Sequence, residues 1–369
     1  MNFEDLGIRK DLLQGLKELN IITPTQIQEE VIPLLLEGNT DLVGQAQTGT
    51  GKTAAYGLPL LQRIEPGKHK VQGLVLCPTR ELGQQVAKQL FKFTKYSKKI
   101  FTEAVYGGAP IDKQIYSLKR PTHIIVATPG RLIDLVKRKA VDLSYVHTII
   151  LDEADEMLSM GFKAELDEIL GFLAASRNKW LFSATLPHGI KQIINKHLSP
   201  EAHKIEVSGK NVVNKHIEHQ YLICEEYDKF NKLMSFLQKD EDERGLIFCK
   251  TKAATQKLAK QLKAKNISAD AIHGDLLQKE RDKVMRAFKN ESLRVLIATD
   301  LAARGIDVPD LAFVVHYQMP DQDDYFTHRS GRTARAGKTG LSLCIVTSAD
   351  MRLLRHYEKS LGIVFKQVR

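Results

Sequence analysis

The sequence predicts an α/β protein built as two tandem units, each a mostly parallel sheet flanked by helices. Three observations predict it. Short apolar runs alternate with amphipathic stretches through nearly all of the 369 residues. Such alternation implies crossover helices, which cover both faces of a parallel sheet. The pattern breaks in a polar stretch from Ile205 to Lys215, and a chain of this length divides naturally into domains of ~100–200 residues.

The first half supplies strand candidates at 41–44, 72–77, 101–105, 123–126, 147–151 and 179–183. Most are rich in Val, Ile and Leu and short enough for buried strands. Between them, 54–61, 81–95, 111–118, 130–138 and 163–173 read as helices. After the polar break the strands resume at 217–223, 245–249, 268–272, 293–298, 312–316 and 340–346. Helices fall at 228–238, 252–264, 278–289 and 349–361. The expected organisation is a first domain over 1–206, a linker over 207–216 and a second domain over 217–369.

Hydrophobic residues make up 43% of the chain and charged residues 27%, enough for two packed cores under a charged surface. No apolar run approaches the ~18–20 residues of a membrane span. Met1-Asn2-Phe3-Glu4-Asp5 lacks the basic-then-apolar start of a secretory signal, so a soluble cytoplasmic protein is expected. Cys77, Cys224, Cys249 and Cys344 lack zinc-ligand spacing, and three lie in strand-like runs. Buried free thiols in a reducing compartment are the better reading. The net charge of +10 suits an anionic partner such as nucleic acid. For Lys88, Lys92, Lys95, Lys98 and Lys99, a solvated helix face is the plainer reading.

Two segments carry chemistry. Thr148-Ile149-Ile150-Leu151 reads as a buried strand ending in Asp152-Glu153-Ala154-Asp155. Of such paired acids the first, Asp152, can bind the Mg²⁺ shell and the second, Glu153, can orient and deprotonate a water. About a hundred residues upstream, Ala46-Gln47-Thr48-Gly49-Thr50-Gly51-Lys52-Thr53 lies between a strand and a helix, the context of a phosphate loop. Gly49 and Gly51 let backbone amides turn inward around phosphates, and the helix N-terminus adds partial positive charge. Lys52 reaches the β- and γ-phosphates, and the Thr53 hydroxyl ligates Mg²⁺. The second half has no such loop and offers arginines instead. Arg332 and Arg335 lie three apart, a spacing that puts both on one face of a helix. Guanidinium groups suit the charge on a transferring phosphoryl group. Thr299 and Asp300 follow a strand end, where open α/β sheets bind ligands.

With these motifs in this order, the chain resembles the DEAD-box ATP-dependent RNA helicases over essentially its whole length. The resemblance implies two tandem RecA-like domains, ATP and Mg²⁺ as cofactors, and RNA as partner. Pro24-Thr25-Gln26-Ile27-Gln28 is similar to the family's adenine-reading motif, with Thr23 beside it and Phe3 the upstream aromatic. The Gln28 amide would offer adenine a donor and an acceptor, selecting ATP over GTP. The resemblance assigns Gln47, Thr48, Gly49, Thr50, Gly51, Lys52 and Thr53 to the phosphates and Asp307 to the ribose. Thr79, Arg80, Gly108, Thr128 and Arg131 match RNA positions of the first domain, and Thr251, Arg281 and Thr299 those of the second. Ser183 and Thr185 resemble the coupling motif whose hydroxyls bond the last acid of the tetrad, Asp155. Asp300 and His328 match coupling positions, and Arg332 and Arg335 the arginine fingers. The chain has Asn20-Ile21 where the family usually has Gly-Phe, and Ser330 and Ala334 where Ile and Gly are common.

The implied reaction is RNA-dependent ATP hydrolysis. ATP-driven closure of the two domains bends a bound strand, and so locally unwinds short RNA duplexes or remodels RNA–protein complexes. Contacts to sugar and phosphate imply little sequence preference, with the 2′-hydroxyl separating RNA from DNA. Two alternatives stand beside this reading. An ATP-dependent RNA clamp with little turnover would usually lack Lys52, Glu153 or an arginine finger, and all are present. A DNA translocase is disfavoured by the tetrad and the Gln28 motif. The expected partners are RNA, as single strand or short duplex, and ribosome-assembly or RNA-decay proteins. The expected form is a monomer of the short bacterial type, ending at Arg369 without an auxiliary domain.

Overall fold

Every strand pairing among the described residues is parallel. A computed structural model of the chain describes residues 1–47, 49–173, 178–207, 216–303, 311–334 and 339–368, without the side chain of Asp324. Two units are formed, Met1–Ser208 and Gly209–Arg369. The expected linker falls almost wholly on 208–215, outside the described residues.

The first unit contains β1 (Leu42–Gln45), β2 (Gly73–Leu76), β3 (Thr102–Val105), β4 (Ile124–Ala127), β5 (Thr148–Leu151), β6 (Asn178–Ser183) and β7 (His203–Glu206). Their order across the sheet is β3-β4-β2-β5-β6-β1-β7. The second unit contains β8 (Ile217–Ile223), β9 (Gly245–Phe248), β10 (Ala269–Ile272), β11 (Val295–Ala298), β12 (Phe313–His316), β13 (Gly340–Val346) and β14 (Phe365–Gln367). Its order is β10-β11-β9-β12-β13-β8-β14. Adding seven to each strand number of the first sheet yields the second, so each strand has a topological counterpart.

Both faces of each sheet are buried, as continuous apolar strands require. In β2, Leu74 and Leu76 enter one core with Ile125 and Ile149, while Val75 enters the other with Val126 and Ile150. In β9, Leu246 and Phe248 face one side, and Ile247 the other. The thiols of Cys77, Cys249 and Cys344 are buried and free. Burial pushes the Cys249 thiol up to about 12, which keeps it inert. No helix among the described residues is long and apolar enough to cross a membrane.

Two strands depart from the expected pattern. β7 lies where the polar break begins; Ile205 is its half-buried residue and its neighbours are exposed. Backbone pairing places it: His203 N–H donates to Asp41 O at 3.0 Å, and Val207 N–H to Gln45 O at 3.0 Å. β14 likewise buries only Phe365 and pairs with β8. Edge strands that bury one side chain leave no apolar run to read.

Candidate active site

The sheet order divides the strand ends of the first unit into two groups. The phosphate loop follows β1, the acidic tetrad follows β5, and Ser183 ends β6; these three strands are neighbours. Thr79 lies beyond β2, Gly108 beyond β3 and Thr128 beyond β4, also three neighbours. The C-terminal edge of one sheet thus presents two adjacent sites, in the place where open α/β sheets bind ligands.

The phosphate loop is a turn closed on itself. Gly49 (φ 87°) and Gly51 (φ 90°) adopt left-handed backbone, which L side chains resist. Gly51 caps α3 (Lys52–Arg63). Lys52 is buried and donates from Nζ to Ala46 O at 2.8 Å, reaching across the loop. The Thr50 hydroxyl donates to Gln47 O at 2.8 Å. Thr53 is half-buried in the first turn of α3, and Thr48 lies outside the described residues. Gln28, on α2 (Gln26–Glu37), is buried against this loop. Its Nε2 donates to Gly51 O at 3.0 Å, and its Oε1 accepts the Thr25 N–H at 2.9 Å. Each end of that amide keeps one further hydrogen-bonding capacity. Thr23 is exposed, whereas Phe3 is 3% exposed and belongs to the apolar core.

The tetrad divides its three acids among three environments. Asp152 is buried; its Oδ2 accepts from Tyr56 Oη at 2.8 Å, and its Oδ1 has no partner. Burial raises its pKa above the ordinary carboxylate value, while the Lys52 charge and the Tyr56 hydrogen bond oppose that rise. Glu153 is half-exposed and holds left-handed backbone (φ 53°) at the turn into α7 (Ala154–Ser159). A non-glycine residue there is strained, a feature that clusters at functional sites. Asp155 Oδ2 accepts from the Thr185 amide and hydroxyl, both at 2.9 Å. Ser183 meets the backbone of Asp155: its Oγ accepts the Asp155 N–H at 3.2 Å and donates to Thr185 O at 2.7 Å. Both hydroxyls thus meet Asp155, that of Thr185 at the carboxylate and that of Ser183 at the backbone.

The second group is built from helix caps. Thr79 Oγ1 accepts the Leu82 N–H at 3.3 Å at the start of α4 (Arg80–Phe93). Its counterpart Thr251, beyond β9, accepts the Ala254 N–H at 3.1 Å at the start of α11 (Lys252–Ala264). Thr128 precedes α6 (Pro129–Lys137), and its counterpart Thr299 follows β11 and accepts the Ala302 N–H at 3.4 Å. A capping hydroxyl that accepts keeps its own proton to donate, and the helix N-terminus beside it favours an anion. The Arg80 guanidinium lies over the Tyr106 ring at 4.7 Å. Arg131 braces the turn that carries Gly108 (φ 77°), donating to Gln114 Oε1 at 2.8 Å and Ala109 O at 3.0 Å. Arg281 donates to Ala302 O at 2.9 Å.

The final motif differs from the expected helix face. α14 (Asp323–Ser330) ends before Arg332, which lies in a turn; Arg335 and Asp307 are outside the described residues. The helix stops because Arg332 N–H turns to Arg329 O (3.1 Å) and Thr333 N–H to Ser330 O (3.2 Å). The Thr333 hydroxyl also binds Leu311 O. Ala334 is left-handed (φ 55°), as is Asn20 (φ 56°), so both positions favour the glycine that they lack. Asn20 follows α1 (Lys10–Glu18) in a Schellman turn, with Asn20 N–H on Lys17 O and Ile21 N–H on Leu16 O, both at 3.0 Å. Ser330 shares a buried polar cluster with His316 and Ser342, at 3.2 and 3.0 Å.

Residues beyond the expected set hold the site. Tyr56 fixes Asp152, and nothing in the sequence marks it. Arg329 is buried and grips Asp300 with Nε to Oδ1 at 2.5 Å and Nη2 to Oδ2 at 2.7 Å. Its signal in the sequence is a third arginine beside His328, outside the three-residue spacing of Arg332 and Arg335. His328 is half-buried on α14.

A phosphate loop, a strand-end acid pair and parallel α/β units with the same strand order define a P-loop nucleotide hydrolase with a second, loopless unit. Residues 25–193 match the model of the DEAD/DEAH box helicase family, and residues 228–337 that of the helicase conserved C-terminal domain. The DEAD-box ATP-dependent RNA helicase CshA of Bacillus cereus is 42% identical over 97% of this chain and 68% of its own length. Its counterpart from Geobacillus kaustophilus is 40% identical over 97% of this chain and 76% of its own. The structure of S. cerevisiae Dbp5 bound to RNA and ADP BeF3 superposes with a TM-score of 0.90 at 32% identity, covering 99% of this chain and 95% of that one. A DEAD box protein from Methanococcus jannaschii is 38% identical, with a TM-score of 0.58 over 100% of this chain and 99% of that one. The chain belongs to the DEAD-box ATP-dependent RNA helicases.

Proposed function

We propose that this protein is an RNA-dependent ATPase that locally unwinds short RNA duplexes or remodels RNA–protein complexes. The observation that carries the reading is the grouping of the phosphate loop, Asp152, Glu153 and the Asp155–Thr185 pair on three neighbouring strand ends. Lys52 and the loop amides bind the β- and γ-phosphates, and Gln28 reads the adenine with its remaining donor and acceptor. Asp152 and Thr53 fit Mg²⁺, since a buried carboxylate oxygen without a partner suits a hard cation. When bound, that ion neutralises charge on the phosphate oxygens. Glu153 orients the attacking water and takes its proton. Arg332 and Arg335 are the candidate arginine fingers, engaged on closure of domains 1–206 and 217–369 about the linker 207–216. Thr79, Arg80, Gly108 and Thr128, with Thr251, Arg281 and Thr299, hold RNA by its backbone, so sequence preference is low and affinity falls with salt. RNA tightens ATP by the factor that ATP tightens RNA. The protein acts as a cytoplasmic monomer, with RNA-decay or ribosome-assembly proteins as its partners.

The test is ATP hydrolysis alone, with single-stranded RNA and with matched DNA, repeated for Glu153→Gln and Lys52→Ala. RNA stimulates and DNA does not, and either substitution lowers turnover about 100-fold or more. Equal stimulation by DNA would make the protein a translocase. Binding of ATP and RNA without turnover would make it a clamp.

A further inference from the structure

α4 begins at the RNA positions Thr79 and Arg80 and then continues as an exposed surface that the reading above leaves unused. Its 14 residues extend about 20 Å. At the helical turn angle, Arg80, Gln84, Lys88 and Phe91 form one stripe, with Lys92 at its border. Gln84, Lys88, Phe91 and Lys92 are exposed, Phe91 by 70%. A phenylalanine left in water contributes no burial to the fold. The apolar face of the same helix is already complete without it, through Leu82, Val86, Leu90 and Phe93.

The charge along the chain around Phe91 is predominantly positive. Residues 82–102 contain five lysines and neither Asp nor Glu. Glu18 of α1 pairs with Lys95, below the end of the stripe, and the run from Arg80 to Lys92 stays net basic, with half-buried Glu81 in the first turn as its one acid. At the head of the stripe Gln84 Nε2 donates to Tyr106 Oη at 2.6 Å, and Tyr106 underlies Arg80. The stripe is thus continuous with the backbone-binding caps.

We propose that this stripe is an auxiliary RNA track. Lys88 and Lys92 take phosphates of the strand segment that flanks the one held at Thr79 and Arg80, and the Phe91 ring stacks on a base. Cations interleaved with a flat aromatic match a single strand, which offers charge and π-faces in alternation. Phe91 lies about 16 Å along the helix from Arg80, within reach of a few further nucleotides. The inference rests on the RNA-dependent ATPase reading and adds a length dependence to it.

The test measures binding of two labelled oligouridine strands, one filling only the capped track and one extended at both ends. The variants are Phe91→Ala, Phe91→Trp and Lys88→Gln with Lys92→Gln; these side chains are exposed, so the fold is kept. Phe91→Ala and the double lysine variant bind the extended strand several-fold more weakly, and the lysine variant loses about 0.7 from the salt slope per contact removed. Binding of the short strand and turnover at saturating RNA stay at the parent level, and Phe91→Trp restores binding. Unchanged affinity for the extended strand overturns the proposal and leaves a solvated face or a protein-binding one. Equal loss on both strands also overturns it. If the parent protein neither binds the short strand nor responds to it, the RNA reading itself falls.

Discussion

Gln28 Nε2 donates to Gly51 O at 3.0 Å, so the residue that would read the adenine is bonded to the left-handed cap of the phosphate loop. A Cβ on Gly51 would meet that same Nε2 at 2.3 Å. On the proposed reading, base and phosphate recognition would share one hydrogen bond and one glycine. Gln28→Glu replaces the donor with a carboxylate facing a carbonyl. Losing a buried hydrogen bond costs about 1–3 kcal/mol, so nucleotide affinity falls by a factor between roughly 5 and 150. Titration with ATP and ADP should show the loss for both; an unchanged affinity would detach the loop from base reading.

Thr185 holds Asp155 through its amide and its hydroxyl. Thr185→Val keeps the shape and the amide but removes the hydroxyl donor. Because the Thr185 amide still holds Asp155, ATP binding should stay near the parent level. RNA-stimulated unwinding should fall more than basal hydrolysis does. Parallel assays of unwinding and hydrolysis check this, and equal loss in both would place Thr185 in the chemical step.

The pair of half-buried Asp300 with buried Arg329 predicts an asymmetric mutational response. Arg329 also donates to Gln318 O at 2.7 Å and stacks over Phe248 at 5.0 Å. Arg329→Met leaves Asp300 without its partner; breaking a fully buried pair costs about 3–5 kcal/mol, and the partial exposure of Asp300 sets the cost below that range. Adding Asp300→Leu should recover part of that stability without recovering RNA-stimulated turnover. Chemical denaturation of the three proteins, with turnover measured beside it, decides the point.

His219 predicts acid lability of the second unit. Both its ring nitrogens are buried without a partner, between Phe326 and Phe365 at 5.7 and 5.6 Å. Burial lowers its titration to about 4, and neighbouring His316 is also lowered by burial and then by the Arg329 charge. The folded state therefore disfavours the proton that the unfolded state accepts. His219 contributes stability that is full above the unfolded value near 6.5 and is lost as pH falls towards 4. The difference between the parent and His219→Phe should grow by roughly 2 kcal/mol from pH 7 to pH 5. Denaturation curves at the two pH values measure it, and parallel curves would exclude His219 as the source.

The sequence by itself determined the parallel α/β class, the division into two units and the strand ends that carry the glycine-rich loop and the tetrad. These depend on local pattern: apolar runs, glycines where left-handed backbone is needed, and acids directly after a strand. Residues such as Thr79 and Thr251 were legible as motif members, and their positions after strand ends followed from the alternation. Tertiary structure alone decided strand order, and hence that β5, β6 and β1 bring three distant segments together. It also decided the partners: Tyr56 on Asp152, Thr185 rather than Ser183 on the Asp155 carboxylate, Arg329 on Asp300, and Gln28 on Gly51. It ended α14 before Arg332 and built β7 and β14 from nearly bare backbone. The partners and the edge strands depend on hydrogen bonds between residues far apart in the chain, and the end of α14 combines local turn bonds with the distant Thr333–Leu311 contact; no local spacing encodes that geometry.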